Sequence, residues 1–585
     1  TDTAPVAQAE ASENTDTAPV AQAEASENTD TAPVAQAEAS ENTDTAPVAQ
    51  AEASENTDTA PVAQAEASGS PYKNGFLRKL DNFYGVTKNN SSIRIEIVSG
   101  IATFLAMCYI LVVNPNQMLG SSENVLWPSV FLATAFGALI GTLLMSFVAK
   151  MPYAQAPGMG LNSMVGSLLS GAATGGAAAA FSFGTAMLLI LIGGTIFLLL
   201  SIIPGGRDKE TGRKKCLREY LFDGIPKSIR SAIPVGIGLF IAYIGFQNAG
   251  VIKASAFTQV DLINFNVYIP QTIQWGINGN GSVEMTLTAP LICLAGLLVI
   301  TVLSHFKVKG AVIIGIVTAT LIAIPAGVAD LDIITGKTNI TWAFWENFAN
   351  FFSLDSSKGG SFLATFTDVD FSGKAPFYCI MTVISFCMID MFETLGTITG
   401  CATRAGLIDK NGKPFNLDKC MFADSVATCT GALLGTSVVT TYVESGAGIA
   451  EGGKTGLTSL TTAVLFLLSV FLLPLFVFIP SQAAACALIY VGVLMMSNVK
   501  NVDFSNMRDA VPAFLTIVIM PLGYSITDGI GMGILMYVLI SLIEYSAGVL
   551  IAKIKKTALP KFDVSAVTFI VATLFAAYFF IPTGM

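Results

Sequence analysis

Charge is scarce in this chain. Asp, Glu, Lys and Arg together make up 12% of its 585 residues, where a soluble globular chain carries about 25%. Histidine is nearly absent: His305 stands alone, in SHFKVKG at the end of an apolar run, and reads as an interfacial residue. The nine cysteines are scattered singly, with no Cys-x-x-Cys pair. That excludes a structural zinc site and a disulfide framework, and leaves reduced cysteines packed in an apolar interior. What the chain has in quantity is hydrophobic residues, 52%, with a mean hydropathy of +0.63. Such a composition belongs to a membrane protein built of spanning helices.

The first 68 residues lack Lys, Arg and aromatic residues altogether. TDTAPVAQAEASEN occurs four times unchanged and a fifth time cut short at Ser68. Such a segment cannot bury enough surface to fold and reads as disordered. Identical copies, a Gly69-Ser70 junction and a start at Thr1 are what an engineered fusion carries; a natural low-complexity tail is the alternative. Residues 1–70 are therefore set apart from the fold. The tail holds 14 acidic residues, so the body has 27 acids against 31 bases, about +4. The low isoelectric point belongs to the tail, and nothing in the charge points to nucleic acid.

About 20 apolar residues are needed to cross a bilayer. Candidate spans begin near residues 97, 126, 154, 181, 232, 286 and 310, and again near 375, 423, 436, 457, 482, 510 and 529. No cleavable signal peptide is expected ahead of them. Basic clusters then set the orientation. They precede the first span (Arg78, Lys79, Lys88, Arg94) and follow the fourth (Arg207 to Arg230, Arg218 included), sixth, eighth, twelfth and fourteenth. Every cluster falls after an even number of crossings, which places the amino terminus in the cytoplasm. The last apolar run, 563–583, does not fit the scheme; a fifteenth span, a re-entrant hairpin and an interfacial helix all remain open.

GALIGT (137–142) and GALLGT (431–436) each lie in the second span of a set of seven. In each half the next segment is interrupted: QAPGMGLNSMVGSL at 155–168 and TSVVTTYVESGAGIAEGG at 436–453. Seven is odd, so the second copy enters the membrane inverted. Short, Gly/Pro-broken segments at matching positions in two halves mark a transporter's binding site. The stretch GIAEGGKT (448–455) fits the phosphate-loop pattern. That motif needs a strand before it and a helix after it in a βαβ unit. Apolar membrane segments flank it here instead, so nucleotide hydrolysis is not expected and Lys454 reads as a cytoplasmic-side anchor.

Charges inside spans are costly and usually functional. Asp390 and Glu393 lie three apart on one helical face. Glu444 lies in the second interrupted segment. Glu544 reads as interfacial, and Asp424 and Asp528 as caps near span ends. A protonated carboxyl donates a hydrogen bond, whereas an ionised one only accepts. Asp390, Glu393 and Glu444 are thus candidate proton-coupling groups whose proton changes how a polar substrate is held.

At these residues the chain resembles the AzgA-like purine permeases, hypoxanthine, guanine and adenine transporters of the nucleobase–cation/ascorbate symporter superfamily. APGMGLNSMV (156–165), IDMFETLGTITG (389–400) and TTYVESGAGIAEGGKTGLTSL (440–460) carry the resemblance, which extends from about Leu77 onward. It implies an all-α polytopic membrane protein with 14 spans in 7+7 inverted repeats, a core and a gate domain, and two half-helix segments each preceded by a short strand. The repeats would run 71–330 and 375–552, joined by an extracytoplasmic connection at 331–374, with 553–585 as a C-terminal apolar segment. The resemblance also implies proton-coupled import of a purine base by an elevator motion, in a cell membrane, with no cofactor, no metal and no enzymatic activity. It places substrate roles on Asn162, Asp390, Glu393 and Glu444, beside Gly158 and Gly160, with Phe392 and Tyr442 as candidate stacking rings. The family often has Asp where Glu393 stands, which leaves substrate preference open. H⁺ against Na⁺ coupling, and monomer against homodimer, are open as well. An anion carrier of the same architecture is the alternative, though three acidic residues make an anion an awkward guest. A membrane-embedded enzyme is the other.

Overall fold

The computed structural model describes residues 71–120, 124–171, 180–207, 214–255, 259–263, 271–275, 281–285, 287–308, 310–328, 344–372, 374, 376–408 and 414–580. The repeat tail 1–70 and the segment 329–343 of the acidic connection lie outside them.

Among the described residues, eight helices are long and apolar enough to cross a membrane. They are Ile93–Leu119, Trp127–Ala149, Phe183–Ile202, Lys227–Asn248, Thr288–His305, Pro376–Thr403, Ser481–Asn501 and Ile526–Lys555. Shorter apolar helices run over Ala311–Ala323, Gly456–Leu472 and Ala566–Phe580. Large apolar side chains such as Leu298, Leu321, Phe471 and Ile543 point outward, as a hydrocarbon solvent allows. Polar residues cap helix starts: Ser92, Ser182, Thr455 and Ser525 each accept a backbone N–H of the turn that follows.

Helices Ile93–Met107, Trp127–Leu144, Phe183–Ile202, Pro376–Ala405, Leu417–Leu434 and Gly456–Ser469 pack among themselves. Helices Lys227–Asn248, Thr288–His305, Ala311–Ala323, Ser481–Met496, Met507–Leu522 and Ile526–Lys555 form a second packed group. Inside the first group the two interrupted segments meet. Gln155–Pro157 and Val439–Thr441 are buried strands that pair antiparallel, with Gln155 opposite Thr441, Ala156 opposite Thr440 and Pro157 opposite Val439. β-Branched Val439, Thr440 and Thr441 favour the extended form. Pro157 fixes its own φ and has no N–H to give, and the chain turns into helix Met159–Ser170 just beyond it. The second strand leads likewise into the short helix Ser445–Ala450.

The sequence repeat explains how two strands fit within a helix bundle. A Cβ at Gly141 would lie 2.8 Å from Gln155 Oε1 and 3.0 Å from Val439 Cγ1; one at Gly431 would lie 2.7 Å from Val439 Cγ2. The small residues of GALIGT and GALLGT therefore back the strand pair from both sides. Thr142 of the first copy finishes the contact, donating its hydroxyl to Gln155 O and accepting the Gln155 N–H.

Three sequence expectations change. Helix Leu417–Leu434 begins ahead of residue 423, because Asp418 and Lys419 in its first turn lower the hydropathy there without ending the helix. Asp424 thus lies well inside the helix, fully buried, and is not a cap. Asp528 sits in the first turn of its helix, but the cap is Ser525, which accepts the Asp528 N–H. Arg218, a member of the basic cluster after the fourth span, is fully buried.

The phosphate-loop look-alike receives a carboxylate of the chain itself. The Lys454 and Thr455 N–H groups donate to Glu96 at 3.1 and 3.2 Å, and the Thr458 hydroxyl donates to the same carboxylate at 2.6 Å. Glu96 is fully buried. Glu96→Ala strands these three donors, each costing about 1–3 kcal/mol when left unmade. The expected result is a thermal midpoint lowered by several degrees in detergent, checked by a size-exclusion melting series; an unchanged midpoint contradicts it.

Candidate functional site

The strand pair aims two helix starts at one buried region. Tyr109, in the break between helices Ile93–Met107 and Ile110–Leu119, bridges it. Its hydroxyl donates to Glu444 Oε1 at 2.6 Å and lies 3.6 Å from Met159 Sδ. Next to Met159, a Cβ at Gly158 would sit 2.9 Å from Glu393 Oε2. Glu393 and Glu444, both from the second half of the chain, therefore meet the first interrupted segment, Glu393 at Gly158 and Glu444 through Tyr109 at Met159. Asn162 is one turn on; its Nδ2 donates to Pro157 O at 3.4 Å. The Tyr442 hydroxyl donates to the same carbonyl oxygen.

Three buried acceptor atoms here have no partner in the protein: Asn162 Oδ1, Glu393 Oε2 and Glu444 Oε2. Acceptors of this kind are satisfied by a ligand that donates, or by a proton on either carboxyl. A Cβ at Gly160 would lie 2.7 Å from Ile526 Cδ1 of the second helix group, so the first interrupted segment lies against that group as well. The expected site residues Gly158, Gly160, Asn162, Glu393, Tyr442 and Glu444 come together.

Asp390 is held by a neighbouring network. Its Oδ2 accepts the Thr428 hydroxyl at 3.2 Å. The Thr394 hydroxyl donates to Asp424 Oδ1 at 2.7 Å and pairs with the Thr440 hydroxyl at 2.6 Å. Gln155 Nε2 donates to the same Asp424 oxygen at 3.1 Å. Phe392 turns its ring to Phe222, with centroids 5.9 Å apart. Tyr109 and Thr428 escaped the sequence reading, while Gln155 and Thr394 lay inside its motifs without being singled out. Tyr109 had a signal of its own: Pro115, inside Ile110–Leu119, marks an irregular first span. One trio of metal-capable side chains occurs among the described residues, Cys216, Glu219 and Asp418; Asp418 is exposed, and the trio shares no residue with the acceptor set.

Broken helices that meet within a bundle of apolar helices, presenting buried polar atoms, define a multi-pass membrane transporter. The chain belongs to a permease family: the family profile, described as "Permease family", matches residues 94–532. It is 36% identical over 460 residues to the guanine/hypoxanthine permease PbuO of Bacillus subtilis (strain 168), covering 78% of this chain and 93% of that one. It is 34% identical over 459 residues to the adenine permease AdeQ of Escherichia coli (strain K12), covering 78% and 89%. Among solved structures, the murine Solute Carrier 26 family member A9 anion transporter in its inward-facing state shares the fold, with a TM-score of 0.51 at 11% identity over 83% of this chain and 74% of that one.

Proposed function

We propose that the protein imports a purine nucleobase, hypoxanthine, guanine or adenine, by proton symport across the cell membrane. The carrying observation is the trio of unpartnered acceptors, Asn162 Oδ1, Glu393 Oε2 and Glu444 Oε2. A purine base is flat, uncharged and edged with N–H donors, so it satisfies several acceptors without adding charge. An anion would bring negative charge to two carboxylates and offer few donors. The names of the relatives, guanine/hypoxanthine and adenine permeases, agree with this substrate class.

The proposed mechanism is an elevator motion of one helix group past the other. With the amino terminus in the cytoplasm, fourteen crossings divide into inverted repeats at 71–330 and 375–552. The 331–374 segment then links them outside the cell, and 553–585 is an appended apolar segment. The helix group that carries the strand pair is the moving core; the second group is the gate. A proton on Glu393 or Glu444 removes one negative charge from the site, with Asp390 beside them, and turns one acceptor into a donor. Loaded with proton and base, the core slides past the gate as an elevator. A homodimer would hold the gates still.

Uptake of radiolabelled hypoxanthine, guanine and adenine into proteoliposomes tests this. Accumulation is expected when the outside is made acidic relative to the inside. It should vanish with a protonophore, while exchange across equal pH persists. Absence of uptake of all three bases under an imposed gradient removes the proposal.

A further inference from the structure

Between helices Phe183–Ile202 and Lys227–Asn248 the short helix Leu217–Gly224 carries Arg218, whose side chain has no exposure at all. Arg218 Nη2 donates to Asp424 Oδ2 at 3.0 Å. Nη1 donates to Met421 O at 3.1 Å and reaches Ser425 Oγ at 3.3 Å. The guanidinium lies over the Phe197 ring. Arg218 thus locks the connecting helix to the strand-bearing helix group. The other Asp424 oxygen receives Thr394 and Gln155 Nε2, and those two reach the strand pair: Thr394 through Thr440, and Gln155 as a strand residue itself.

We propose that Arg218 and Asp424 are a positioning pair for the substrate site. The fixed charge of Arg218 orients the Asp424 carboxylate. Asp424 Oδ1 fixes Gln155 and Thr394, and these set the strand crossing from which Gly158, Asn162 and Glu444 face one another. Neither residue touches the acceptor atoms Asn162 Oδ1, Glu393 Oε2 or Glu444 Oε2. A pair kept only for structure would be replaceable by apolar groups of similar volume, whereas loss of one partner strands a buried charge. The assignment rests on the purine-transport proposal for its functional readout.

The test compares Arg218→Met, Asp424→Leu and the double variant for membrane abundance and for the KM and maximal rate of hypoxanthine uptake. Both single variants should lose folded protein. The double variant should regain abundance, yet keep a KM raised on the order of tenfold, because small displacements of positioned groups are felt strongly. A double variant with wild-type KM overturns the proposal. Should the double variant not reach the membrane, Arg218→Lys decides in its place: a raised KM supports the pair, and an unchanged KM overturns it. If the wild-type protein takes up no purine, the transport proposal has failed by itself. The pair is then judged on thermal midpoints of Arg218→Met, Gln155→Leu and their combination. Non-additive shifts support transmission through Asp424; additive shifts overturn it.

Discussion

Glu444→Gln is expected to abolish purine accumulation while leaving the protein folded and in the membrane. Glu444 Oε1 accepts the Tyr109 hydroxyl at 2.6 Å, and Oε2 has no partner. Gln keeps the shape and one acceptor, so it can hold Tyr109 and keep the packing around Ser445–Ala450. Its amide NH₂ then faces the ligand. A donor meets a donor there, and the charge-assisted hydrogen bond to a purine N–H is lost. A hydrogen bond to a charged group contributes about 1.5–3 kcal/mol, so affinity should fall by up to roughly a hundredfold from this term. Gln also cannot be protonated, so a proton carrier is removed with it. Purine binding to purified protein at several pH values checks both effects. The wild type should show pH-dependent affinity, and the variant weak, flatter binding; wild-type affinity and pH response in Glu444→Gln would remove Glu444 from the site.

The parts of this site that were legible share a cause. Interruption of an apolar run by Gly and Pro is a strong local signal, and it occurred at matching places in two halves. That pointed to residues 155–168 and 436–453 before any contact was known. Asp390, Glu393 and Glu444 stood out because charge in an apolar run is rare. Arg218 did not stand out, for the converse reason. It lies in a basic stretch with Lys214 and Lys215, and charge counting treats each member alike, though the guanidinium turns inward to Asp424. Asp424 was misplaced because hydropathy puts a helix start where charge ends, and this helix begins with charge. Glu96 lay in a first helical turn, where an acidic residue needs no special explanation. Its partners, the amides of Lys454 and Thr455, are backbone groups that no residue letter encodes. Tyr109 and Thr394 act through hydroxyls at particular positions, which only the packed chain reveals.

Gly448→Ala should cost folded protein. The short helix Ser445–Ala450 crosses helix Ile93–Met107 so closely that a Cβ at Gly448 would lie 2.2 Å from Thr103 Oγ1 and 2.4 Å from Ser99 O. The hydroxyl can rotate away, but the carbonyl belongs to a helix backbone and cannot. The short helix must therefore lift. Overpacking of this kind costs about 1–3 kcal/mol, and more where backbone resists. Lifting also moves Glu444, which immediately precedes that helix, off Tyr109. The variant that does fold should accordingly bind purine more weakly than the wild type, so the stability and affinity losses travel together. Gly400→Ala is the matched control. Gly400 sits within helix Pro376–Ala405, and beyond that helix's own nearby backbone no heavy atom comes within 4 Å of an added Cβ. There the same methyl group meets open space and gains helix propensity of up to about 1 kcal/mol. Thermal midpoints in detergent should thus move in opposite directions for the two variants. If Gly448→Ala melts at or above the wild type, the close crossing that sets Glu444 against Tyr109 does not exist in the folded protein.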